Sequence, residues 1–233
     1  MRGKRYWRPQ LTQQEQTRGW IFLCLYFLVF PFLMAGFQWV MDNQLEFYLS
    51  EADSNVAYYL FSDALVLLVF WSYLRNGLDI LLDNLSDNLI SVAAGLAVGL
   101  LLGQLSLLIP LPVEDPNTAI YAQQFAHSPY ATVAILVFLI PLVEEVLFRG
   151  LVFGSLRRKN RLWGYAISIT FYLLYSVWTF AFSFGDPRYL LLAVRTLPAA
   201  LALTWCYDHG GSIWASIVLH ALLNAARLYF TVG

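Results

Sequence analysis

Apolar positions in this chain are grouped neither in twos nor along one face of a helix. They run on as long unbroken stretches separated by short polar joints. A bilayer span needs about 20 such residues. Seven stretches meet that length: Trp20–Met41, Asn55–Leu74, Asn88–Pro110, Tyr130–Gly154, Leu162–Phe184, Tyr189–Tyr207 and Gly211–Val232. The pattern predicts an all-α, polytopic transmembrane bundle of about seven spanning helices. The Asp79–Asp87 stretch reads as an interfacial helix and would make an eighth element. The first apolar stretch exceeds the core of a cleavable signal peptide and reads as a retained anchor. The loop Leu111–Ser128 carries no spanning segment.

Composition agrees with lipid as the main solvent. Of 233 residues, 59% are hydrophobic and 12% charged, with a mean hydropathy of +0.60; soluble domains carry about a quarter charged residues. A net charge of −1 excludes the basic face that nucleic acid requires. Cys24 and Cys206 both lie in apolar stretches and read as packing residues. No repeat or linker divides the chain, so it reads as one membrane domain. Within it, 1–19 form a basic cytoplasmic lead, 20–129 the N-terminal helices and 130–233 a C-terminal core.

Basic residues set the orientation. A cytoplasmic N-terminus places Arg2, Lys4, Arg5, Arg8, Arg18, Arg75, Arg157, Arg158, Lys159 and Arg161 inside, and Arg188 alone in an outer loop. Acids dominate the first two outer loops: Asp42, Glu46, Glu51, Asp53, Glu114 and Asp115. The protein is therefore expected in the cell membrane, multi-pass, with the bilayer as its first partner.

The apolar stretches also contain Asp63, Glu144, Glu145, Arg149, Arg195, His220 and Asn224. Ionisable groups at membrane depth are costly and face a bundle interior or a cavity. The helical rise puts Glu144 about 16 Å from Ser155, His220 about 14 Å from Gly211 and Arg195 about 18 Å from Tyr207. These groups meet in one slab near mid-membrane, expected to open towards the cytoplasm. Glu145 and Arg149 are spaced i, i+4 and can pair; His220 and Asn224 share a face by the same spacing. Glu144, rotated about 100° from Glu145 on an α-helix, is left free. A free carboxylate before a His/Asn pair fits water activation. Taken singly, each group has a plain structural reading. Glu145–Arg149 is a tie between helices, His220 a hydrogen-bonded core residue, and Arg195 and Asp63 are structural partners or counter-charges. His127 and His209 read as solvated loop residues.

The stretch Pro141-Leu-Val-Glu-Glu-Val-Leu-Phe-Arg-Gly150 resembles the EExxxR motif of the CAAX-prenyl-protease and bacteriocin-processing (CPBP, or Abi) family of intramembrane proteases. His220-Ala-Leu-Leu-Asn224 resembles its last motif, HxxxN. The resemblance covers roughly Tyr130 to Tyr229. It implies hydrolysis of a peptide bond in or near the bilayer, in a peptide or membrane-anchored protein. Glu144 would be the water-activating base, Glu145 and Arg149 its supporting pair, and His220 and Asn224 the groups that polarise the scissile carbonyl. The family's middle motif, FxxxH, lacks its histidine here: the position falls on Tyr175 (after Phe171) or Ser176 (after Tyr172). Either hydroxyl can hydrogen-bond a water, but neither is a base at neutral pH. Metal and cofactor are expected to be absent. Zinc, suggested by the family's older description as metalloproteases, takes three protein ligands, whereas this chain offers Glu144, His220 and a poor third in Asn224. The alternative to a protease is a non-enzymatic immunity or regulatory protein that binds a peptide or protease partner on the same scaffold. A small transporter would use the same buried charges, but no repeated half or matched pair of broken helices supports it.

Overall fold

The computed structural model describes residues 10–44 and 51–232, which form helices joined by short turns and loops. Of the orientation-setting residues, Arg2, Lys4, Arg5, Arg8 and Glu46 lie outside the described residues. The helices are α1 (Gln13–Leu28), α2 (Phe30–Gln44), α3 (Glu51–Asp83), α4 (Leu85–Leu107), α5 (Pro116–His127), α6 (Pro129–Arg157), α7 (Arg161–Phe184), α8 (Ala193–Gly210) and α9 (Ile213–Val232). Six are long and apolar enough to cross a membrane, and the bent pair α1–α2 makes a seventh.

That pair corrects the reading of a single straight helix over Trp20–Met41. The chain turns by 53° at the break, because Pro31, in the first turn of α2, supplies no N–H to bond back into α1. Thr12 and Glu15 form a reciprocal capping box that starts α1. The same Glu15 accepts the backbone N–H of Tyr73 at 2.8 Å. α3 is kinked at Phe70 (φ −117°, ψ 24°), and Glu15 thus serves a backbone donor beside the kink.

The Asp79–Asp87 stretch is not a separate interfacial helix. α3 runs on through Asp83, and its 33 residues measure about 50 Å at the α-helical rise. Trp214 Nε1 donates to Leu74 O at 2.8 Å and Ser212 Oγ to Gly77 O at 2.7 Å, fastening this overhang to the start of α9. The loop Leu111–Ser128 contains the short helix α5, which Asp115 caps through the Asn117 N–H and Pro116 starts. α8 continues to Gly210, so His209 belongs to its last turn, stacked on Trp205 with ring centroids 5.0 Å apart.

α6 is the central helix. In its most apolar window 56% of residues are buried, against 17% in α7. It is also irregular, with π-helical turns at Ala134–Leu139 and Glu145–Phe153. Phe22, Tyr26, Phe70, Tyr73, Phe148, Phe153 and Tyr207 pack around its C-terminal half as the main core. Gly150 lets Tyr73 cross α6, since a Cβ there would stand 2.8 Å from the Tyr73 hydroxyl. Gly95 on α4 does the same for Leu219 of α9, at 2.6 Å. Close approach through small residues is how helices pack where water supplies no hydrophobic drive. Leu68, Trp71, Leu108 and Phe182, by contrast, stand exposed around the outside, as suits a lipid-facing surface.

Candidate active site

Two helices carry the site, α6 and α9, and a third, α7, closes one side. Glu145, fully buried on α6, is the hub. Its Oε1 accepts Arg149 Nη1 at 2.9 Å and His220 Nδ1 at 2.8 Å, and its Oε2 accepts Ser216 Oγ. Ser216 lies one turn before His220 on α9 and therefore meets the same carboxylate. Three donors, one of them cationic, satisfy this carboxylate without water.

The tie to Glu145 fixes His220. With Nδ1 facing a carboxylate, that nitrogen carries the proton, and Nε2 is turned towards Glu144. Nε2 and Glu144 Oε2 are 3.9 Å apart. That is too far for a direct hydrogen bond, and close enough for a single water to reach both at ordinary lengths. Glu144 is buried, and its one close ionic neighbour on α9 is His220.

Asn224 is present one turn beyond His220, but one of its two amide hydrogens is committed. Nδ2 donates to Leu136 O, in the first π-helical stretch of α6, at 2.8 Å. Ser168 Oγ likewise donates to Phe148 O, in the second π stretch, at 2.7 Å. Both π stretches thus accept side-chain donors from neighbouring helices, a use of irregular turns frequent at functional sites.

Tyr172 on α7 touches more of the site than either residue predicted from the missing histidine. Its ring lies 4.1 Å below the Arg149 guanidinium. It meets the His220 ring edge-to-face at 6.2 Å, and it lines the same cavity as Glu144. Arg149 Nε and Nη2 are buried without a hydrogen-bond partner, so the ring face supplies much of what compensates that cation. Tyr175 and Ser176 line the same cavity as Glu144, yet their hydroxyls are engaged elsewhere. Tyr175 bonds the Tyr26 hydroxyl at 2.8 Å; Ser176 bonds Leu173 O at 2.8 Å and Thr196 Oγ1 at 3.4 Å. Ser216 and Tyr172 are the residues the sequence reading missed. The first was marked by its i, i+4 spacing to His220; for the second, no local pattern identified it.

Arg195 and Asp63 do not pair. Arg195 Nη2 donates to Ile109 O at the end of α4, at 2.8 Å, and acts there as a cap on the helix C-terminus. Asp63 Oδ1 is buried without a partner.

A cavity of about 370 Å³ reaches Glu144, Tyr172, His220 and Asn224. A second, of about 450 Å³, reaches Tyr172, His220 and Asn224 from between α4, α8 and α9. Their outer rims are formed by Asn55, Asn117, Tyr121 and Arg227. They open at the end of the bundle opposite the Arg157–Arg161 loop, and so reverse the expected direction. Depth along a helix gives the level of a residue, not which end is filled, and here the core aromatics fill the Arg157 side.

The donors fit a zinc ion poorly. Among the described residues no three of His, Cys, Asp and Glu form a ligating group. Glu145 is saturated by Arg149, His220 and Ser216, which leaves Glu144 and His220 Nε2. A catalytic zinc takes three protein ligands.

Residues 126–226 match the family described as type II CAAX prenyl endopeptidase Rce1-like. The matched segment contains both motifs and bears out the resemblance they carry. No curated protein and no solved structure matches the chain.

Proposed function

We propose that this chain, which carries a type II CAAX prenyl endopeptidase-like domain over residues 126–226, is an intramembrane peptidase that uses Glu144 as its base. The observation that carries this reading is the placement of His220: Nδ1 on Glu145, Nε2 3.9 Å from Glu144. A water between Glu144 and His220 gives a proton to the Glu144 carboxylate as its oxygen attacks the scissile carbonyl carbon. The carbonyl oxygen takes the electron pair and is held by the second amide hydrogen of Asn224, and by His220 when Nε2 is protonated. Collapse of the tetrahedral species expels the amine, which receives the proton from Glu144. Tyr172 closes the third side of the cavity. Arg149 and Ser216 act through Glu145 and are positioning residues.

The chain sits in this reading as a multi-pass protein of the cell membrane with a cytoplasmic N-terminus and a cytoplasmic Arg157–Arg161 loop. Its substrate is a peptide or membrane-anchored polypeptide. A binding scaffold without turnover is the second reading. It is favoured by the engagement of Tyr175 with Tyr26, which leaves the middle-motif position without a base.

Reconstitution in liposomes with membrane-anchored peptides, followed by mass spectrometry of new termini, tests the proposal. Cleavage that persists with a zinc chelator is the expected result. A partner retained through purification with no new terminus in any peptide favours the scaffold.

A further inference from the structure

We infer that the scissile peptide reaches Glu144 from the outer side of the membrane, so that the substrate is an exported or outward-facing segment rather than a cytoplasmic tail. The inference rests on the peptidase reading above for its substrate, and on the cavities and charges for its direction.

On one side of the site the bundle is closed. Phe148, Phe153, Tyr73 and Tyr207 are each at most 1% exposed and occupy the space between Glu145 and the Arg157–Arg161 loop. The Tyr73 and Tyr207 hydroxyls bond each other at 2.9 Å across this plug. At the same end Gln16 bonds Ser155 and Gln10 bonds Gly211 O, tying α1 to the loops beneath. A third cavity, of about 230 Å³, enters there beside Arg158 and Lys159, but it ends on Gly150 and Tyr207 and is lined by none of Glu144, Tyr172, His220 and Asn224. Neither of the two cavities that reach His220 passes through these residues.

On the other side the site is open through both cavities, which share Tyr172, His220 and Asn224 as lining residues. α5 straddles the mouth, with Asn117 and Tyr121 on the smaller cavity and Thr118 on the larger.

The cations separate along the same axis. Arg18, Arg75, Arg157, Arg158, Lys159 and Arg161 lie at the closed end. Arg188, Arg195 and Arg227 lie at the open end; Arg188 and Arg227 pair with Asp186 and Asp115, at 2.7 and 2.6 Å, and Arg195 bonds Ile109 O. Excess arginine and lysine in short loops stays in the cytoplasm during insertion. The closed end is therefore cytoplasmic and the mouth faces out. Reversal would carry the six cations of the closed end across the membrane and leave Arg188, Arg195 and Arg227 inside.

Thiol labelling in intact cells tests this, in a Cys24→Ser, Cys206→Ala background, and needs no turnover. An impermeant maleimide is expected to label Asn117→Cys before permeabilisation and Arg158→Cys only after it. A small charged methanethiosulfonate is expected to modify Thr196→Cys, which lies on both cavities, from the outside. The inference is overturned if Asn117→Cys reacts only after permeabilisation. It is overturned equally if Arg158→Cys reacts in intact cells, or if Thr196→Cys reacts from the inside alone or from neither side. Because the readout is accessibility, loss of the peptidase reading would leave a positive labelling result standing, and the reverse.

Discussion

Glu145 holds His220 by Nδ1 at 2.8 Å and thereby turns the opposite ring nitrogen towards Glu144. Two adjacent glutamates on one helix thus have opposite surroundings. Glu145 is saturated by three donors and has no room for water. Glu144 faces one ring nitrogen and a cavity that Tyr172 also lines.

The first consequence is a difference in stability. Glu145→Ala leaves Arg149 buried without its anion and releases His220, at a cost of about 3–5 kcal/mol. Glu144→Gln keeps the shape and removes only the charge, so it costs far less. Thermal unfolding in detergent separates the two. A larger loss for Glu144→Gln would reverse the assigned roles.

Ser216→Ala removes one donor from the Glu145 carboxylate, a loss of about 1–3 kcal/mol. Because His220 leans on the same carboxylate, any peptidase activity is expected to fall with it, and Ser216→Thr to restore both. The comparison is made by unfolding temperature and cleavage rate on the same preparations.

Tyr172 combines two roles that substitution separates. Tyr172→Phe keeps the ring beneath Arg149 and should unfold close to wild type. The Tyr172 phenol lines the cavity of Glu144, and loss of one polar group there should slow cleavage up to about tenfold, equivalent to about 1.4 kcal/mol. Tyr172→Leu also removes the cation–π contact, about 2 kcal/mol in a dry site, and should lower the unfolding temperature as well.

The absent histidine can be restored at only one of the two candidate positions. Ser176 lies one turn beyond Tyr172 on α7, on the same face and towards the mouth. Its hydroxyl bonds its own helix and Thr196, so little is lost on replacement. Tyr175 is stacked on Tyr26 with centroids 5.3 Å apart and bonded to it through the hydroxyls. Ser176→His is therefore expected to raise turnover, by up to the roughly 10² at the lower end of general-base effects. Tyr175→His is expected to destabilise without a gain. Initial rates on one peptide, with unfolding temperatures alongside, decide between them.

Much of this was legible in the sequence because lipid makes the signal coarse. Long apolar runs could only be spans, and charged residues within them stood out. The pairing of Glu145 with Arg149 follows from i, i+4 spacing alone, and holds even on a π-helical turn. Helix joints were less legible. The bend at Pro31 follows from a local proline, whereas the kink of α3 at Phe70 and its continuation past Asp79 go with contacts to Glu15, Ser212 and Trp214, distant in sequence. Asp115-Pro116 was a readable helix start that the loop reading of 111–128 passed over. The site's third wall was hidden for another reason. The motif pointed to Tyr175 and Ser176, while helix rotation and the pull of Tyr26 bring Tyr172 to Arg149 and His220 instead. Nor could spacing reveal which end was plugged, since that depends on where aromatic bulk from α3, α6 and α8 converges.

The most direct test of the central claim is the cleavage rate of Glu144→Gln against wild type, measured in liposomes on a membrane-anchored peptide under single-turnover conditions. The variant alters one atom's charge and proton affinity and leaves the Glu145–His220–Ser216 network in place. Wild type should cleave, and Glu144→Gln should be slower by at least about 10², with unfolding temperature and peptide affinity unchanged. Equal rates for the two proteins would contradict a base at Glu144. Absence of cleavage by both, with a membrane partner still bound by Glu144→Gln, would contradict the peptidase itself.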